Sequence, residues 1–364
     1  MMLLRLLRHE AAQPFRHEVL ALVRGGALEA PFREAAAAIH SLGMRRGLPT
    51  PAAALRLRRT VRRVAPDLLV GWLYHGNLAA SFAARGFGRR PPVVWNIRHS
   101  PDDLSAERWL TARLIRWGAG ASRRVRAVVY NSATSARLHR RLGYAGEGSE
   151  VLPNGFDVER FSPSAAARGA LRERLGIGEE ALVVGRIGRY HGMKGFELFL
   201  EAAAALDLGA QGVHLLLAGR GVDASNPSLT SAIEAHGLGA RCHLLGPQDG
   251  LEDLLPGLDL LCSSSLYGEG FPNIVAEAMA CGVPCVVTAV GDSAFLVGDE
   301  GVVVAPGEVA PLKEALGRIL EMPADLRREM GRAGRRRIVE HFSSGEVFPR
   351  YVEIWRRALA GEGS

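Results

Sequence analysis

Glu269-Gly-Phe-Pro-Asn-Ile-Val-Ala-Glu277-Ala-Met-Ala-Cys-Gly282 sets two carboxylates eight positions apart across a loop-to-helix junction. The apolar run Asp259-Leu-Leu-Cys-Ser-Ser-Ser265 precedes it and Val283-Pro-Cys-Val-Val-Thr288 follows. Both runs read as buried strands. Gly270 and Pro272 stop regular structure, and Asn273 is expected to cap the helix that follows. Asn273 and Glu277 lie four apart, so they share one helical face. Free backbone N–H groups at such a helix start suit an anion, phosphate above all. A carboxylate beside an anion site is repulsive unless it accepts bonds from hydroxyls. The pattern therefore suggests a nucleotide sugar rather than bare phosphate.

Outward from this unit, short β-branched runs alternate with helical patterns along the whole chain, the mark of an α/β fold with parallel sheets. In the first half strands are predicted at 17–23, 39–44, 67–73, 93–97 and 127–131, with helices at 50–64, 104–117 and 132–142. In the second half strands are predicted at 181–187, 213–218, 242–246, 259–263, 284–288 and 301–304. Leu152-Pro-Asn-Gly-Phe-Asp157, running on to Phe161-Ser-Pro163, is a turn-rich break and reads as the linker between domains. The domains so predicted are 1–160, joined by a last helix at 345–364, and 161–344. Helical pattern dominates after residue 306, and Phe348, Tyr351, Ile354, Trp355 and Ala358 form a stripe that must be buried.

A chain of 364 residues is too long for one typical core. With 48% apolar and 23% charged residues, its composition is that of a globular protein. No apolar run reaches the ~18 residues of a membrane-spanning helix. Met1-Met-Leu-Leu-Arg-Leu-Leu-Arg8 lacks the order of a secretory signal, so a cytoplasmic location is expected. Cys242, Cys262, Cys281 and Cys285 lie in or beside strand-like runs and read as buried, reduced thiols rather than zinc ligands. Residues 1–160 carry 26 Lys and Arg against 12 Asp and Glu, whereas the remainder carries 19 against 26. Arg-rich stretches such as Leu55-Arg-Leu-Arg-Arg-Thr-Val-Arg-Arg63 lack the aromatic interleaving that stacking on bases requires. Nucleic acid is thus not expected as a partner. Contact with anionic lipid head groups or an anionic acceptor is the expectation, with solvated arginine faces as the alternative.

Glu269 and Glu277, with seven residues between them and a strand on each side, resemble the E-x7-E signature of family-4 retaining glycosyltransferases. The resemblance implies the GT-B fold: two doubly wound Rossmann-like domains with a cleft between them and a C-terminal helix crossing back to the first. It implies a metal-independent enzyme without a cofactor. The second domain would bind the nucleotide sugar, and the first would face the acceptor. Arg189 and Lys194, in Gly188-Arg-Tyr-His-Gly-Met-Lys194, resemble the family's R-x4-K element, which grips the donor diphosphate. Fixed cations there would stabilise the charge that grows on the leaving group. Glu277 would hold the ribose hydroxyls and Glu269 the transferred sugar. The backbone of Phe271, Pro272, Asn273 and Ile274 would support sugar and phosphate, and Gly188 and Gly219 would turn strand ends toward the donor.

His99 ends the run Val93-Val-Trp-Asn-Ile-Arg-His99 and corresponds to a family histidine beside the transferred sugar. A structural strand-end histidine is the alternative. Arg98 and His75 are weaker candidates on the acceptor side. Gly219-Arg-Gly221 mimics a dinucleotide fingerprint, but Ser225-Asn-Pro-Ser228 intervenes before any helix, so an NAD site is rejected. The loop Gly246-Pro-Gln-Asp249 is expected to contact the base, and Ser132 to cap a helix.

The resulting expectation is a retaining hexosyltransferase. It would act on a nucleotide diphosphate sugar and a sugar, glycolipid or polysaccharide hydroxyl, at the inner face of the membrane. A non-catalytic sugar-nucleotide-binding scaffold and a sugar-nucleotide epimerase of the same fold stay open. Members of the family begin with a strand and a glycine-rich turn, whereas Met1–Arg8 reads as the helix that follows them. A reading frame starting about 15–25 residues upstream is expected, the length of one strand and its turn.

Overall fold

The architecture is that of a computed structural model, described over residues 2–24, 29–44, 50–85, 90–101, 104–105, 107–146, 148–209 and 212–361. The chain divides into two compact units, Met1–Gly155 with Ser344–Ser364, and Phe156–Ser343. The division falls five residues before the predicted one. Phe156 is fully buried in the second unit, and its N–H donates to the Phe342 carbonyl at 2.9 Å.

The first unit begins with α1 (Met2–Arg8), β1 (Glu18–Val23), α2 (Glu29–Ala35), β2 (Ala38–Met44) and α3 (Pro51–Val64). It continues through β3 (Leu69–Trp72), α4 (Leu73–Ala84), β4 (Val93–Ile97), α5 (Trp109–Ser122), β5 (Ala127–Tyr130), α6 (Ala133–Arg141) and β6 (Ser149–Val151). Its parallel strands form two separate sheets, β1-β2 and β3-β4-β5-β6. Every residue of β4 and β5 is buried, as helices on both faces of a parallel sheet require. The start of α3 follows from its sequence: the Thr50 side chain accepts from the Ala53 N–H and Pro51 takes the first helical position. Ser132 caps α6 in the same way, accepting from the Ser135 N–H.

Two features depart from expectation. Helix α5 begins at Trp109 rather than at residue 104, and Glu107, two residues before it, accepts from the His99 ring. Strand β6 was not predicted; Ser149-Glu-Val151 is too short and polar to show period or propensity.

The second unit runs α7 (Ala165–Leu175), β7 (Leu182–Ile187), α8 (Phe196–Ala204), β8 (Val213–Ala218), α9 (Pro227–Ala235), β9 (Cys242–Leu244), α10 (Leu251–Leu254) and β10 (Leu260–Ser263). It then runs α11 (Asn273–Ala280), β11 (Cys285–Thr288), α12 (Ser293–Val297), β12 (Val302–Val304), α13 (Val309–Leu320) and α14 (Ala324–Phe342). One six-stranded parallel sheet results, in the order β12-β11-β10-β7-β8-β9, with apolar clusters on both faces. The order reverses between β7 and β10, which makes that crevice the place where doubly wound sheets hold ligands. Asp259, just before β10, ties α7 to the sheet. It receives Arg168 at 2.6 Å, Arg172 at 2.7 Å and the Val183 N–H at 2.9 Å.

The last helix, α15 (Ser344–Ala360), belongs to the first unit. Its predicted stripe is buried, with Phe348, Tyr351 and Trp355 packed among Met2, Leu6, Val94 and Leu152. Tyr351 also accepts from Arg98 at 2.7 Å, which takes that arginine out of the set of free cations.

Candidate functional site: the strand-end loops of the second unit

Four loops meet at the carboxyl ends of β7, β8, β10 and β11. The loop after β7 carries Gly188, Arg189 and Lys194, and the loop after β10 carries Glu269. Lys194 Nζ donates to Glu269 Oε1, and the Ser265 hydroxyl lies 2.8 Å from the same oxygen. Both members of the pair are largely shielded, Glu269 being 9% exposed. Arg189 is exposed, its guanidinium 3.6 Å from the Met193 sulfur, and among the described residues no carboxylate pairs with it. One cation is therefore held by an acid and a second waits unneutralised five residues away.

Close backbone packing fixes these loops. Gly219 sits so near the β7 loop that a Cβ there would lie 1.9 Å from the Gly188 carbonyl oxygen. Gly195 has φ +60°, and its Cβ would meet the Ser264 carbonyl oxygen at 2.1 Å. Only glycine satisfies both the torsion and the approach. The Leu266 N–H donates to the Met193 carbonyl at 2.8 Å, and the Asp292 N–H to the Gly270 carbonyl at 3.0 Å. The Gly219 N–H reaches the Gly246 carbonyl at 2.8 Å, which draws in the 246–249 loop.

Arg186, near the end of β7, was missed in the sequence. Its side chain is 1% exposed and has no carboxylate partner; it donates to Ser264 Oγ at 3.0 Å, to the Ile187 carbonyl at 3.1 Å and to the Lys194 carbonyl. Its guanidinium stacks 4.6 Å over the Phe196 ring. Burial depresses its pKa, and the nearby Cys262 and Glu269 oppose that shift. A lone charge within an apolar strand run was the available signal.

The helix start also needs correction. Asn273 is not the cap: Pro272 is, with no side-chain cap bond, and Asn273 is the first residue of α11. Proline's extended ψ of 93° ends the loop, and its carbonyl accepts from the Val275 N–H at 3.1 Å. Asn273 is exposed, Ile274 and Glu277 are half-buried, and the Phe271 ring is a core group stacked on Phe156. The Phe271 side chain thus anchors the loop, and only its backbone is placed to serve a ligand.

In the first unit His99 follows β4. Its Nε2 donates to Glu107 Oε1 at 2.5 Å and its ring lies edge-on to Tyr74. Behind it lies a buried polar network. Ser135 Oγ donates to the His99 carbonyl at 2.7 Å, His139 Nδ1 donates to the Ser135 carbonyl at 2.8 Å, and Tyr74 donates to His139 Nε2 at 2.9 Å. Burial lowers the His139 pKa to about 4, so the ring is neutral, and the Ser135 carbonyl, which can only accept, fixes the proton on Nδ1. His75 is exposed on α4. Among the described residues no cluster of three metal-ligating side chains occurs, and no helix is long and apolar enough to cross a membrane.

Two Rossmann-like parallel-sheet units with this loop cluster define a GT-B fold. Solved structures agree. Anabaena HepE, crystallised with UDP and glucose, superposes with a TM-score of 0.80 at 22% identity, covering 98% of this chain and 95% of that one. Sucrose-phosphate synthase of Thermosynechococcus elongatus does so at 0.81 and 20%, covering 98% and 92%. Family models match along most of the chain: "Glycosyltransferase Family 4" over 1–160 and "Glycosyl transferases group 1" over 180–322. The chain belongs to the family-4 glycosyltransferases. Among curated proteins, the MMP alpha-(1->4)-mannosyltransferase of Mycolicibacterium hassiacum is 30% identical over 74% of this chain and 66% of its own length. The putative glycosyltransferase EpsF of Bacillus subtilis is 30% identical over 39% of this chain and 36% of its own. The match thus spans about a third of the one relative and two thirds of the other.

Proposed function

We propose that this protein is a retaining, metal-independent hexosyltransferase that uses a nucleotide diphosphate sugar. The observation that carries the reading is the pairing of Lys194 with Glu269, beside the free Arg189, at the sheet's reversal point. Arg189 and Lys194 take the diphosphate, and Glu277 the ribose hydroxyls. Glu269, once Lys194 turns to phosphate, accepts from hydroxyls of the transferred sugar. The bond from the anomeric carbon to the phosphate oxygen breaks as the acceptor oxygen bonds the same face. The acceptor proton passes to the leaving phosphate. The two cations stabilise the charge that grows on that group, without a metal ion.

His99, oriented by Glu107, serves the transferred sugar and the acceptor. The setting that fits the arginine-rich first unit is assembly of a cell-surface polysaccharide or glycolipid at a membrane face. Thermal-shift screening with UDP, GDP and ADP identifies the base, since a ligand at 100 times its Kd stabilises by ~2.7 kcal/mol. Turnover of the matching nucleotide sugar, with the product anomer read by NMR and with EDTA present, then tests the chemistry. Inversion at the anomeric carbon, or a strict metal requirement, would sink the mechanism.

A further inference from the structure

Helix α5 of the first unit presents an outer face that combines exposed tryptophans with arginines. Trp109 is 64% exposed and Trp117 53% exposed. They lie eight residues apart, about 12 Å along the axis, with Arg113 between them and its guanidinium 5.2 Å from the Trp117 ring. At 100° per residue, Trp109, Arg113, Arg116, Trp117, Gly120 and Arg123 fall within an arc of about 120°, while Leu114, Ile115 and Gly118 are buried on the opposite side. From Arg108 to Arg126 the chain holds six arginines and no acidic residue. At the C-terminal end of the helix a cavity of about 580 Å³ opens, lined by Arg85, Arg90, Arg123, Arg124 and Arg126. None of these five side chains has a hydrogen bond or ion pair with a described residue.

We infer that this face is a docking surface for a lipid bilayer with anionic head groups. The tryptophans would sit at head-group depth, Arg113 and Arg116 would neutralise lipid phosphates beside them, and the arginine-lined cavity would receive a further head group. Exposed tryptophans need an occupant that is apolar at one depth and wet at another, which is what the bilayer interface offers. Arginines with no acidic neighbour need an anionic one. A second copy of the chain would set arginine against arginine. A nucleic acid would satisfy the charge, but a convex helix face with two rings so far apart is no groove for a strand. The inference rests on the membrane setting proposed above and names its surface. Its test needs no turnover, so a failure here leaves the transferase reading standing.

The test is cosedimentation of the whole chain with phosphatidylcholine vesicles, with and without phosphatidylglycerol. Binding should require the anionic lipid and fall at high salt. Trp109→Ala with Trp117→Ala, and separately Arg113→Glu with Arg116→Glu, should each weaken partition about tenfold or more. Melting temperatures should hold, because these side chains are exposed. Brominated lipid should quench the parent's tryptophan fluorescence and spare the double tryptophan variant. Equal binding by parent and variants, or none to anionic vesicles, overturns the assignment. So does tight binding of a single-stranded oligonucleotide that both variants lose, which would mark the face as a nucleic-acid surface.

Discussion

The two units solve the same architectural problem differently. The second closes six parallel strands into one continuous sheet whose loops are knitted at the carboxyl end by glycine contacts and a buried arginine. The first divides its strands between a pair and a set of four. Its buried polar groups, Tyr74, Ser135 and His139, are neutral and lie behind the histidine loop. Permanent charge is buried at the loop ends where the diphosphate is proposed to bind. Among the described residues of the other unit no charged side chain is buried, and the cations lie outside. The difference teaches that a parallel sheet tolerates a buried cation where surrounding carbonyls and a ring satisfy it, as they do around Arg186.

The largest expected effect lies in the second unit. Lys194→Ala and Arg189→Ala should each lower turnover on the order of 10²–10³-fold, and donor affinity less. Their folded fraction, checked by circular dichroism, should not change. His99→Ala measured alongside sharpens the comparison. A loss in rate at constant melting temperature makes His99 a working group of the first unit, and a melting loss at constant rate makes it structural.

The next concerns acid. His139 binds its proton at about 4 in the folded state, below the ordinary histidine value of 6.5. At pH 7 the ring is neutral in both states, so nothing is lost. As pH falls from 6.5 toward 4 the unfolded chain gains a proton that the folded chain refuses, and stability drops by about 3 kcal/mol. Urea melts across that window should show the loss, and His139→Gln should remove it. An unchanged acid slope in that variant breaks the contrast between the two interiors.

A smaller effect is expected at Arg186. Arg186→Met keeps the length and the ring contact but leaves the Lys194 and Ile187 carbonyls without their donor, costing about 1–3 kcal/mol. Nucleotide affinity should fall with it, because the Lys194 loop loosens. If stability falls while affinity holds, Arg186 supports the sheet and not the site.

The smallest is a difference in exchange. Among the described residues β1 pairs only with β2, and β3 only with β4, whereas β7 is paired on both sides. Amide protons of β1 and β3 should exchange faster than those of β7. Equal protection would mean that the divided sheet is as rigid as the continuous one.

Much of this was legible in the residues. Strand positions in both halves follow from short β-branched runs, because a strand buried on both faces must be apolar throughout. The spacing of Glu269 and Glu277 and the strands around them pointed to the loop proposed to hold the donor, since their order along the chain is itself the motif. The cap at Ser132 was readable because a capping bond spans only three residues.

The pairing of Lys194 with Glu269, 75 positions apart, was not legible. Nor was the role of Pro272 in place of Asn273, the five-residue shift of α5, or the ring of bonds from Tyr74 through His139 to His99. Each of these depends on which loop lands beside which. A one-dimensional pattern records periodicity and local bonds; it does not record contacts that exist only once distant strands have been paired. Arg186 shows the boundary most plainly: by sequence it is a charge in the wrong place, and only the Ser264 hydroxyl, two carbonyls and the Phe196 ring, gathered by the fold, make that place polar enough to hold it.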